Sequence, residues 1–172
     1  MTSNTATTQE ELVTFITPAS LLQHWQVHRK LSRKVLAAFP EKELFEFSIG
    51  GMRPYDGLAK EMIGLASAGM NGIATGKWET TPLLDHFNNE VNITSKQELL
   101  EAWDEVTGQI DNYWAQIPSA HFHDTVMAFG MYENTVIDTI LYFIDNEIHH
   151  RGQGYVYLRA LGVEPPAFWD RS

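Results

Sequence analysis

The segment DNEIHHRGQGYVYLRALG, residues 145–162, gathers the side chains of this sequence best suited to chemistry. Asn146 and His150 are four residues apart, so on a helix they share one face with Tyr142 a turn before and Gly154 a turn after. Imidazole is a good ligand for a divalent cation, whereas a carboxamide offers only a neutral oxygen. Glu61, in YDGLAKEMIG, lies at the edge of an apolar helix face and could add a carboxylate. Glu61, Asn146 and His150 would make a mixed nitrogen and oxygen site, suited to iron, manganese or nickel at least as well as to zinc. His28 is a further candidate ligand on the apolar stripe of the first helix. At about 1.5 Å rise per residue, it and Glu61 fall within roughly 6 Å in height if their helices run antiparallel.

Each residue also has a plainer role. His150 and His28 could be packed histidines with satisfied nitrogens, Glu61 a solvated carboxylate, and Asn146 a polar contact inside a core. His149 can pair with Asp145 one turn back, which makes it a surface residue or a support for its neighbour. Arg151 can clamp a carboxylate or phosphate, or lie on an ordinary helix surface. Tyr142, His149 and Arg151 are therefore candidates for orienting a ligand or substrate. His24, His86, His121 and His123 read as solvent-facing.

Four helices are needed to position these groups. Thr17 is an N-cap and Pro18 a first helical residue, so a helix starts there. Leu21, Trp25, Ser32, Val35 and Phe39 mark its inner face, and Pro40 ends it. Within it, HRKLSRK (28–34) reads as one solvated face. A connector with Gly50-Gly51 leads to Pro54, which opens a second helix with Leu58, Met62, Leu65, Ala66 and Ile73 inward. Gly64, Gly69 and Gly72 weaken it or admit a close neighbour. Residues 76–92 read as a loop. Ser95 and Glu98 form a capping box for a third helix with Leu99, Trp103, Val106, Ile110, Tyr113 and Ile117 inward, ended by Pro118. Residues 119–134 are irregular with a short extended piece. The fourth helix spans about 135–161 and closes at Gly162. Phe168 and Trp169 are expected to fold back on the bundle. The result is an all-α four-helix bundle with long connections: one domain over 15–172 after a flexible start at 1–14.

Composition narrows the function. With 12 basic and 22 acidic side chains the net charge is −10, which repels nucleic acid and anionic membranes. The absence of cysteine excludes disulfides, thiolate ligands and a Cys nucleophile, and suits a cytoplasmic setting. The first residues carry no basic stretch followed by an apolar one, so no signal peptide is expected. No apolar run reaches about 18 residues, so no membrane span is expected. No G-x-S-x-G, P-loop or G-x-G-x-x-G motif is present.

HHRGQGYVYLRALG with its proline-containing tail resembles the signature of the DinB/YfiT-like superfamily, and the four-helix layout agrees over most of 15–170. The resemblance implies a bundle that is often dimeric. It also implies kinship with transferases and isomerases that use low-molecular-weight thiols. Such proteins hold a divalent metal such as zinc or nickel with three histidines, one from the second helix and two from an H-x-x-x-H pair in the fourth. His150 matches the second of that pair. Asn146 stands at the first, and Glu61 near the second-helix position. Two functions follow. One is a divalent-metal-dependent enzyme in which the metal activates a small thiol cosubstrate that a chain without cysteine cannot supply. The other is a non-enzymatic bundle, binding a small molecule or serving as a dimeric scaffold, with a degenerate metal site. For the homodimer, light scattering at micromolar concentration should return the mass of two 19.5 kDa chains; the mass of one would refute it.

Overall fold

Thr17 accepts a hydrogen bond from the Ser20 amide at 3.1 Å, and with Pro18 in the first turn it starts α1, Pro18–Ala38. In this computed structural model, which describes residues 15–78 and 93–172, a short helix α2, Glu41–Glu46, follows in the connector. Pro54 precedes α3, Tyr55–Thr75, which ends at Gly76 in the left-handed conformation that its φ of 76° requires. The capping box forms as expected: Ser95 and Glu98 bond each other's backbone and start α4, Lys96–Trp114. A 3-10 turn over Ser119–His123 leads into a hairpin of β1, Thr125–Ala128, and β2, Tyr132–Thr135. Thr135 caps α5, Val136–Ala160, through the Asp138 amide. The flexible start expected at 1–14, and residues 79–92 of the expected loop with His86, lie outside the described residues.

The four long helices form a square in which α1 and α3 each pack on both α4 and α5. Trp25, Trp103, Tyr55, Ile63 and Tyr157 fill its centre. No described helix is long and apolar enough to cross a membrane. The hairpin covers one side of the α3–α5 pair. Its turn holds Phe129 at φ 54°, a left-handed conformation costing a bulky residue on the order of 1–3 kcal/mol. The Phe129 ring meets the Trp78 ring edge-to-face at 5.3 Å between centroids, a contact that helps to hold it there.

A polar seam crosses the core. Glu147 of α5 is 2 % exposed and accepts from Trp25 Nε1 at 3.2 Å, Arg29 Nη1 at 3.3 Å and Ser32 Oγ at 2.8 Å. Arg29 is fully buried, lies 4.0 Å from the Trp103 ring and donates to the Trp103 carbonyl and to Thr107 Oγ1. Arg151 adds bonds to the His28 carbonyl and Ser32 Oγ, both at 3.3 Å. The segment HRKLSRK is thus not one solvated face. Arg33 points out to Asp104, while His28, Arg29 and Ser32 point in, because a helix turns by about 100° per residue and seven residues cover every side. The tail also departs from expectation: Phe168 and Trp169 pair with each other but remain 61 % and 75 % exposed. Gly154 serves a neighbouring helix, since a Cβ there would lie 2.6 Å from the Tyr55 ring.

Removing one member of a buried ion pair strands the other charge. Glu147→Gln should therefore lower the unfolding free energy by about 3–5 kcal/mol in denaturant titration. A loss of only a few tenths would mean that Arg29 is satisfied by its other partners.

Candidate functional site

Three of the candidate residues meet between α3 and α5. Glu61 Oε1 accepts from His150 Nε2 at 3.0 Å and from Asn146 Nδ2 at 3.2 Å. Its Oε2 accepts from the Arg53 guanidinium. Arg53 is placed by its backbone: the buried Tyr157 hydroxyl donates to the Arg53 carbonyl at 2.6 Å, just before Pro54 starts α3. His150 Nδ1 lies 2.7 Å from Gln153 Oε1, whose amide nitrogen faces Met52 Sδ at 3.5 Å. The Glu61 carboxylate faces Nε2 and the Gln153 side-chain oxygen faces Nδ1, an arrangement that favours the protonated ring.

The ionisation follows from this geometry. The hydrogen bond from His150, then those from Arg53 and Asn146, hold the Glu61 carboxyl well below the usual range against the opposing effect of burial. Burial works to lower the His150 pKa, but the bonds to Glu61 and Gln153 outweigh it and the net direction is up.

This arrangement is the inverse of a metal site. In a metal site lone pairs converge on one point; here N–H groups converge on one carboxylate. Among the described residues no three His, Asp or Glu side chains gather to hold a cation. Asn146 presents its NH₂ to Glu61, and Arg53 places a fixed positive charge on the carboxylate that a cation would need. The donor set as it stands does not fit a divalent metal. One group is left over: Asn146 Oδ1 is buried with no partner.

Glu61 also borders a cleft of about 610 Å³ between α3, α5 and the hairpin. Leu65, Phe129, Tyr142 and Phe143 wall it, and Thr139 and Asn134 add polar groups. The remaining candidates fall elsewhere. His28 faces Arg151 and packs edge-on to His24 at 4.5 Å; no hydrogen bond joins it to the Glu61 cluster. His149 is exposed, its ring edge-on to His150 at 5.1 Å, and forms no bond to Asp145. Arg151 belongs to the core seam and Tyr142 to the cleft wall. Sequence reasoning missed Arg53, Gln153 and Glu147. Glu147 was detectable, because it and Arg151 interrupt the stripe Ile140, Phe143, Ile144, Gly154, Leu158 at core spacing. Arg53 lies in a connector, where no periodicity points to a partner.

A model of the DinB family matches residues 3–171. The fold is similar to that of a DinB-like protein from Bacillus cereus, with TM-score 0.75 and 16% identity over 91% of this chain and 100% of that one. It is also similar to a DinB-like protein from Bacillus subtilis, with TM-score 0.65 and 19% identity over 86% of this chain and 96% of that one. No curated protein matches the sequence.

His28 offers a separate measurement. Burial, then the charges of Arg151, Arg171 and His24, lower its pKa from 6.5 to about 4. The folded state thus refuses a proton that the unfolded chain accepts, so the His28 contribution is full above pH 6.5 and is lost as pH falls towards about 4. The stability of the parent relative to His28→Gln should decline over that window in chemical denaturation. A difference independent of pH would show that His28 is freely protonated.

Proposed function

The chain belongs to the DinB family, and on that premise we propose that it is a small-molecule-binding helical bundle, its ligand seated in the cleft between α3, α5 and the hairpin. The observation that carries this reading is the cleft, whose volume of about 610 Å³ suits a small ligand. Its walls are mostly apolar and aromatic, and its polar groups are few. The Glu61 cluster works as a preorganised edge. Arg53, Asn146 and His150 lock the carboxylate in one orientation, so a ligand meets it without first reordering it. Because Glu61 is held ionised by three donors, it acts as a positioning group and not as a proton carrier.

A second reading is favoured by the partnerless Asn146 Oδ1. It is a divalent-metal-dependent transferase or isomerase with a small thiol cosubstrate, in which Glu61, Asn146 and His150 hold zinc, nickel, manganese or iron. A bound metal would supply Lewis acidity and favour the thiolate. For this, His150 must lose its Nε2 proton, Asn146 must turn its oxygen inward and Arg53 must leave Glu61.

Two measurements decide. A thermal-shift screen of small molecules should give compounds that stabilise the parent but not Leu65→Trp, which fills the cleft. Compounds that shift both equally, or none at all, would overturn the cleft reading. Elemental analysis after incubation with each metal and dialysis should find none retained. About one metal per chain, lost in His150→Ala, would establish the second reading instead.

A further inference from the structure

We infer that the occupant of this cleft is an organic cation: a protonated or quaternary amine with apolar substituents. The inference rests on the cleft being the ligand site, and the sign of the charge around the cleft carries it further. Among the described residues that line it, Glu61 and Glu133 are the only ones of fixed charge, and none is a lysine, arginine or histidine. Glu61 is already ion-paired with Arg53 and hydrogen-bonded to His150. Glu133, on β2, forms no ion pair among the described residues, so its charge is free to act on a ligand.

The walls complete the argument. Phe129, Tyr132, Tyr142 and Phe143 all border the cleft, and their ring faces carry the negative side of the aromatic quadrupole. Tyr132 and Tyr142 are 64 % and 59 % exposed, so much of both rings stands open at the cleft. Phe129 is held in its left-handed turn at the same place. An ammonium group against such rings, with a carboxylate at the rim, gains cation–π attraction and charge pairing together. An anion would meet Glu133, the ring faces and the field of a protein of net charge −10. A neutral apolar molecule would fill the space but leave Glu133 unused.

Three probes of nearly the same shape separate these cases by NMR titration: choline, the neutral alcohol in which a tert-butyl group replaces the trimethylammonium group, and the carboxylate of that alkyl skeleton. Choline should bind about tenfold tighter than the neutral alcohol, and the carboxylate most weakly of the three. Glu133→Gln and Tyr132→Leu, both at exposed positions, should reduce that preference while leaving the affinity of the alcohol within about twofold. Equal binding of choline and the alcohol, preference for the carboxylate, or a choline preference unchanged in both variants would overturn the inference. So would failure of all three probes to bind or to displace a compound that Leu65→Trp abolishes. In that last case the cleft would remain the ligand site and only its charge preference would fall. If no Leu65→Trp-sensitive compound exists, the cleft reading itself fails.

Discussion

The bundle turns on one buried carboxylate. Glu147 reaches across from α5 to three donors on α1: Trp25, Arg29 and Ser32. An ion pair so deep is weak evidence for stability, because desolvation of both charges offsets much of their attraction. Its effect on geometry is larger. A buried charge has few acceptable partners, so satisfying Glu147 fixes both the height and the rotation of α5 against α1. A wholly apolar contact would tolerate neighbouring rotations at little cost. Ser32 and Arg151 extend the seam, and Arg29 carries it to α4 through Trp103 and Thr107.

That rotation sets the second cluster. At about 100° per residue, Arg151 lies about 40° to one side of Glu147, while His150 and Asn146 lie about 60° and 100° to the other. If Glu147 and Arg151 face α1, then Asn146 and His150 must turn towards α3, where Glu61 is waiting. The two polar clusters are therefore consequences of one helix phase. They differ in balance. In the seam, two guanidiniums stand near one carboxylate, and burial together with the Arg151, Arg171 and His24 charges keeps His28 neutral. In the outer cluster, the Glu61 charge is met by His150 and Arg53, and the shared hydrogen bonds move the two titrations apart.

Most of the framework was legible from local signals. The Thr17 cap, the Ser95–Glu98 box, Gly162 and the apolar stripes mark the four long helices within a residue or two, except that α4 stops at Trp114, three residues before the end that Pro118 implied. The convergence of Glu61, Asn146 and His150 was legible from helix periodicity together with the family resemblance. What periodicity could not provide was the chemical state of the cluster. It turns on Arg53, whose position is set by a hydrogen bond from Tyr157, more than a hundred residues away in sequence. The inward turn of Arg29 was hidden for a similar reason: an arginine in a basic run reads as surface until a buried acid is found opposite it. The exposure of Phe168 and Trp169 runs against their hydrophobicity, and no pattern in the tail foretold it.

An ion-paired cluster can occupy the place of a metal because both answer the same electrostatic need. Glu61 is half-buried beside an apolar cleft, and its charge must be compensated there. A divalent cation does so with one centre and leaves net positive charge and open coordination positions. Arg53, His150 and Asn146 do so with directed N–H groups, which take up three of the roughly four lone-pair sites of the carboxylate and fix its orientation. The groups that still line the cleft are aromatic rings and the carboxylate of Glu133; a ring face and a carboxylate both attract positive charge. A carboxylate compensated by Arg53 and hydrogen-bonded to His150 leaves Glu133 as the unpaired charge at the cleft among the described residues, while the helix phase set by Glu147 stays the same.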